Sequence, residues 1–202
     1  MDPLDALAWP LRTPRLTIRR VTPADADATW AYRRLPEVGE WIGWFAATPQ
    51  EYRAEFTAPG RLATVLAVEL GGTEPRVIGD VICRVEDAEA QREVAADAAG
   101  RQAEVGWSLD PAHGGHGYAT EAVAAVIDAC FSALGVRRVR AVCFADNEPS
   151  WRLMERLGMR REAHTRASAL HRRGVWLDSF EYAVLADEWR VEASERPPRM
   201  LV

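Results

Sequence analysis

Residues 104–122 read EVGWSLDPAHGGHGYATEA. Residues 103–109 have the apolar composition of a strand. Residues 110–117 form a glycine-rich loop. From Tyr118 onward the pattern changes period. Val123, Val126, Ile127, Cys130, Phe131 and Leu134 fall at i, i+3, i+4, i+7, i+8 and i+11, which predicts an amphipathic helix over 118–134. Gly135 is its expected stop. A strand, a glycine loop and a helix in that order suit an anion. Gly114, Gly115 and Gly117 let backbone approach a phosphate, and the helix N-terminus adds unpaired N–H groups and a positive dipole end. The loop lacks Gly-Lys-Ser/Thr, so it is no P-loop. Its spacing is not G-x-G-x-x-G, and no acidic residue closes the next strand to hold a ribose.

The flanks extend the pattern. Residues 138–144 (RVRAVCF) predict a strand with Val139, Ala141 and Cys143 on one face. Asn147-Glu148-Pro149 opens a helix that ends at Leu157-Gly158. Residues 159–166 and 175–185 are expected to be two closing strands. Upstream, 14–21 predict a strand and 25–35 a helix started by Thr22-Pro23. An aromatic loop or short helix follows over 37–45, then a helix over 49–58 ended by Pro59-Gly60. Two strands, 63–70 and 76–85, form a hairpin through Gly71-Gly72. Residues 86–102 are polar and Ala-rich and are expected to be an exposed insertion. The tail from 192 is expected to be loose.

The chain has 202 residues, and 25 basic residues against 30 acidic ones give a net charge of -5. All 25 of the basic residues are Arg. That excludes a Schiff-base lysine, a phosphate-loop lysine and a lysine base. The length predicts one domain over 1–202, with a core of about 14–189. The acidic balance argues against nucleic acid and suits a cationic acceptor. No run reaches the ~20 apolar residues of a membrane helix. Residues 1–10 carry Asp2 and Asp5 and no basic region, so a secretory signal is not expected and a cytoplasmic location is. Cys83, Cys130 and Cys143 are unpatterned and sit in apolar runs, which predicts core packing and neither a disulfide frame nor a metal knuckle.

Residues 104–122, together with 147–159 (NEPSWRLMERLGM), resemble the acyl-CoA binding core of the GNAT superfamily of N-acetyltransferases. The GYATEA run, the Asn-x-x-Ser spacing and the MERLGM helix end resemble its RimJ/RimL-like group. So do the opening PRLTIRRVTPADAD and the closing LADEW. The resemblance covers about 14–189. It implies an α/β fold: a mixed, mostly antiparallel sheet of six or seven strands, helices on both faces, split near Trp107 to admit acetyl-CoA. It implies acetyl transfer to a primary amine, either a protein N-terminus or a small molecule such as an amino sugar, polyamine, antibiotic or amino acid. A non-catalytic acyl-CoA sensor is the alternative of another class. Homodimerisation through the closing strands is implied as well.

The resemblance also assigns residues. The family loop Gln/Arg-x-x-Gly-x-Gly/Ala falls on Gly114, Gly115, His116, Gly117, Tyr118 and Ala119, with Thr120 following. Gly114 departs from it, which leaves the backbone cradle. Trp107, Ser108 and Leu109 fall where backbone pairs with the pantetheine arm, and the Trp107 N–H falls where it faces the thioester oxygen. Asn147 and Ser150 match positions near the thiol. Many members carry a Tyr seven residues after that Asn as acid for the leaving thiolate. Met154 stands there, so Ser150 or a water is the substitute. Glu104 is either the general base or a solvent-facing carboxylate on a strand edge. Trp41, Trp44 and Phe45 either line the acceptor site or pack. His164 and His171 fall near the substrate mouth, and Arg152 and Arg156 could meet an adenosine phosphate or solvent. His113 and His116 flank the loop with no third ligand nearby, so no metal is expected.

Overall fold

A computed structural model describes residues 2–189. The loose tail expected from 192 lies outside these residues. The sheet has eight strands: β1 (Leu11–Arg12), β2 (Leu16–Arg20), β3 (Val65–Leu70), β4 (Arg76–Glu86), β5 (Gln102–Leu109), β6 (Arg138–Phe144), β7 (Arg160–Leu170) and β8 (Trp176–Leu185). Their order is β1-β2-β3-β4-β5-β6-β8-β7. Every neighbouring pair is antiparallel except β5 and β6. The count exceeds the expected six or seven because two-residue β1 adds an edge too short to carry an alternating pattern.

Six α-helices cover the sheet: α1 (Ala26–Arg33), α2 (Pro36–Gly39), α3 (Pro49–Phe56), α4 (Pro59–Thr64), α5 (Tyr118–Ser132) and α6 (Glu148–Arg156). The apolar stripe of α5 is buried as its spacing predicts, with Val123, Val126, Ile127, Cys130 and Phe131 all at 6% exposure or less. It joins α6, β5 and β6 in one core. A second core on the other face gathers Val21, Ala26, Tyr52, Phe56, Val65 and Ala67, with Leu62 of α4 packed against it. Cys83 and Cys130 meet in the first core, Sγ to Sγ 3.6 Å, as free thiols.

Several boundaries differ from expectation. The helix from Pro49 does end before Pro59-Gly60, at Phe56, but the pair is not a plain stop. It starts α4, because proline in a first turn forfeits no hydrogen bond that the helix would have made. Within 86–102 the two ends are strand, Glu86 pairing with Gln102. The middle is an exposed 3-10 turn, Arg92–Ala98, closed by Ala88 N–H to the Ala98 carbonyl at 2.9 Å. β7 runs four residues beyond the predicted end. Its pairing with β8 tolerates two register shifts, and Ala167 in the second adopts φ +44°. Such irregularity follows from cross-strand partners and has no periodic signature.

Candidate active site

β5 and β6 pair only at Gln102–Arg138, Ala103–Val139 and Glu104–Arg140. Beyond Glu104, β5 stays with β4 as far as Leu109, while β6 stays with β8 as far as Phe144. The sheet therefore opens three residues earlier than expected. Each strand follows its antiparallel partner, and the two partners diverge. The Asp110 N–H donates to the Ile78 carbonyl at 2.8 Å on the β4 side. The β4–β5 register is unbroken. Backbone direction alternates along a strand, so 106 and 108 also turn their backbone groups to β4, while 105, 107 and 109 turn theirs to the opening. The Trp107 N–H thus points into the split and has no ladder partner. Ser108 was expected to offer its backbone as well; alternation turns it to β4.

A cavity of about 1390 Å³ fills the opening and runs from the glycine loop to the helices of the second core. Glu104, Trp107, Ser108 and Leu109 line it from β5. Gly114, Gly115 and Gly117, with Tyr118, Ala119 and Thr120 in the first turn of α5, line its loop end. Asn147 and Ser150 line it from α6, where the Asn147 side chain caps the helix by accepting from the Ser150 N–H at 3.4 Å. Trp41 and Trp44 line its opposite end, beside the helices of the second core.

Residues 15–160 match the acetyltransferase (GNAT) domain family. The chain belongs to that family. It is 30% identical over 179 residues to the uncharacterized N-acetyltransferase YoaA of Bacillus subtilis (strain 168), across 87% of this chain and 96% of the relative. It is 36% identical over 86 residues to YnaD of the same organism, but that match spans only 43% of this chain and half of YnaD. The crystal structure of an acetyltransferase (GNAT family) from Bacillus anthracis superposes with a TM-score of 0.75 at 28% identity, covering 88% of this chain and 99% of that one. The protein is an acetyltransferase with the GNAT-like mixed sheet.

The glycine loop of this GNAT acetyltransferase fits a pyrophosphate. Gly115 and Gly117 hold φ of +78° and +77°, which a side chain strains. Gly117 is the N-cap of α5, so the free N–H groups of the first turn point to the cavity end. A clamp that no motif announced holds the loop from outside. Arg15 donates to the His116 carbonyl at 2.9 Å, lies over the Tyr118 ring at 4.6 Å, and pairs with buried Glu121 at 2.6 Å. Burial opposes ionisation of Glu121, but hydrogen bonds from Thr13 and Arg15 outweigh it and hold the carboxyl below its usual range. Gly117→Ala places a Cβ 3.6 Å from the Arg15 guanidinium at a left-handed φ. The strain is about 1–2 kcal/mol, and we expect a fall in coenzyme affinity of roughly five- to thirtyfold. Calorimetric titration with CoA checks this; an unchanged Kd refutes the cradle.

Several expected residues are not on the cavity wall. His116 stacks its ring on Tyr118 and contributes only its carbonyl to the Arg15 clamp. Phe45 lies over Gly39, where a Cβ would come within 2.4 Å of its ring, and beneath the Arg172 guanidinium. His164 stands on β7 and pairs with Asp178 at 2.6 Å. His171 is also off the wall: it is buried and ties the β7–β8 turn to the Glu40 carbonyl at 2.8 Å. Arg152 pairs with Glu148, whereas Arg156 reaches the cavity. Met154 is wholly buried in the first core and fills space.

The ion pairs of the wall carry no sequence signal. Glu104 is fixed by two guanidiniums, Arg84 at 3.0 Å and Arg140 at 2.7 Å. Arg33 lines the cavity and forms a buried fork with Asp80, at 2.9 and 2.6 Å, which Tyr32 also joins at 2.5 Å. Arg61 and Cys143 line it too. Burial pushes the Cys143 thiol up to about 11. Among the described residues no group of three His, Cys, Asp or Glu is placed to hold a metal ion. No described helix is long and apolar enough to cross a membrane.

Proposed function

We propose that this protein moves the acetyl group of acetyl-CoA to a primary amine by direct attack, in the manner of the RimJ/RimL-like group, with a protein N-terminal amine as acceptor. One observation carries the reading: a strand edge with a free N–H, a glycine cradle and a fixed carboxylate share one cavity. Gly115 to Ala119 bind the pyrophosphate, and the backbone of Val105, Trp107 and Leu109 binds the pantetheine amides. Glu104 removes the ammonium proton, directly or through one water; each of its oxygens keeps a second acceptor site beside its Arg partner. The neutral nitrogen attacks the thioester carbonyl carbon and the C–N bond forms. The Trp107 N–H stabilises the charge that develops on oxygen. The C–S bond then breaks, and Ser150 relays the second proton of the attacking nitrogen to the departing thiolate, so that an amide and a thiol leave the site. Cys143 supports direct transfer. With its thiol held at about 11 it stays protonated at neutral pH and is a poor nucleophile.

Thiol release from acetyl-CoA, with and without a panel of peptides and small amines, tests the reading. Release with small amines alone moves the protein to the small-molecule class. Tight CoA binding with no release makes it a sensor. Glu104→Gln is expected to lower kcat most at low pH, where free amine is scarce and the base matters most. An unchanged pH–rate profile removes Glu104 from the mechanism.

A further inference from the structure

Arg61 lies in α4 on the acceptor wall, half-buried, and its guanidinium makes no hydrogen bond or ion pair with any described residue, although its backbone N–H donates to the Ala58 carbonyl at 2.9 Å. The other arginines of that wall are matched: Arg33 by Asp80, and Arg84 by Glu104. Arg156 is on α6, beside the coenzyme half. The groups whose charges reach Arg61 are Arg33, Asp80, Tyr52 and Glu55. Asp80 cannot neutralise it. Both Asp80 oxygens are taken by Arg33, and one of them by Tyr32 as well, in a fork 1% exposed on the Asp80 side. Glu55 is exposed on α3. Burial first, and then repulsion from Arg33, lowers the pKa of the Arg61 guanidinium. It still ionises fully at neutral pH, because arginine starts so high. The wall therefore holds a partly desolvated cation beside a like charge, without a counter-ion of its own. That arrangement costs free energy, and an entering anion relieves it.

We propose that Arg61 binds a carboxylate of the acceptor, so that the substrate is an amine that also carries a carboxylate. A guanidinium suits this task, since its planar fork meets both carboxylate oxygens. The inference rests on the amine-acetylation reading and narrows its substrate class. It reverses the expectation drawn from net charge, because the acid excess of the whole chain is not the charge at the wall. The carboxylate has two sources: the main chain of a free amino acid, or an acidic side chain at a peptide N-terminus.

Paired acceptors separate the sources. Alanine against alaninamide probes the first. The tripeptide amides Asp-Ala-Ala and Asn-Ala-Ala, with no other carboxylate, probe the second. In each pair kcat/KM is measured for the full-length protein and for Arg61→Gln and Arg61→Lys. In at least one pair the wild type is expected to prefer the carboxylate about 10- to 100-fold more than Arg61→Gln does, mainly through KM. Arg61→Lys should keep part of the preference. Equal ratios in wild type and Arg61→Gln overturn the inference while acetylation stands. If no acceptor turns over, the acetylation reading fails for this panel and binding decides the inference. N-acetylalanine and N-acetylalaninamide, and the two acetylated peptides, are then titrated calorimetrically into the CoA-loaded protein. Tighter binding of a charged product that is lost in Arg61→Gln supports the inference; equal or absent binding overturns it.

Discussion

Asp80→Ala is expected to lower the unfolding free energy by about 3–5 kcal/mol, the cost of stranding a buried charge. Arg33 and Asp80 are 5% and 1% exposed, so the guanidinium left behind is largely desolvated. Tyr32 loses its acceptor in the same step. Burial, and then the Asp80 charge, raise the Tyr32 pKa well above its usual value, so Tyr32 stays a donor and the loss should not vary with pH near neutrality. The exposed pair Arg53–Asp27 is the control, with side chains 60% and 76% exposed. Asp27→Ala should cost less than about 1 kcal/mol, because water screens the pair. Replacing both partners, Arg33→Met with Asp80→Leu, should recover much of the stability, since no unpaired charge remains. Denaturant unfolding reads all three. A cost for Asp80→Ala no larger than the control would mean that the fork does not pin α1 to β4.

Trp107→Pro is expected to lower kcat about 100- to 1000-fold, the usual loss for one oxyanion donor. The comparison that matters is Trp107→Ala, which removes the indole and keeps the N–H. Its kcat should fall less than about tenfold. Proline is tolerable here because the N–H it deletes points into the split and makes no ladder bond with β4. Thermal unfolding of the two variants should therefore be similar. Equal kcat for both, or a loss confined to the KM for acetyl-CoA, would remove the oxyanion role.

Much of the frame was readable along the chain. The α5 stripe, the Asn147 cap and the alternation of 138–144 are local patterns, and helix and strand periods report them directly. The glycine loop was readable for the same reason: Gly115 and Gly117 occupy backbone conformations that other residues resist. Burial of the three cysteines followed from their apolar runs, although Cys143 also faces the cavity. Less legible were features made by residues far apart in sequence. The Arg15–Glu121 clamp joins residues 106 apart, and the Arg33–Asp80 fork joins residues 47 apart. Neither leaves a spacing that one element could display. Phe45 and His164 were weighed as site residues because the family resemblance puts the first helices over the acceptor site and the closing strands at its mouth. Gly39 and Asp178 hold them elsewhere.

The absence of lysine, the strand-loop-helix run and the Asn147 helix were determined by the sequence by itself, because each depends on residue type or short-range period. With the resemblance to the GNAT superfamily that the last two carry, they were enough for the sheet class and for acetyltransferase chemistry. Only the tertiary structure decided which charges cancel. Twenty-five arginines look alike in a sequence, yet Arg33, Arg84 and Arg15 are neutralised by Asp80, Glu104 and Glu121, and Arg61 is left without a counter-ion on the cavity wall. Charge compensation is a matter of distance and burial, and both are set by packing across the sheet.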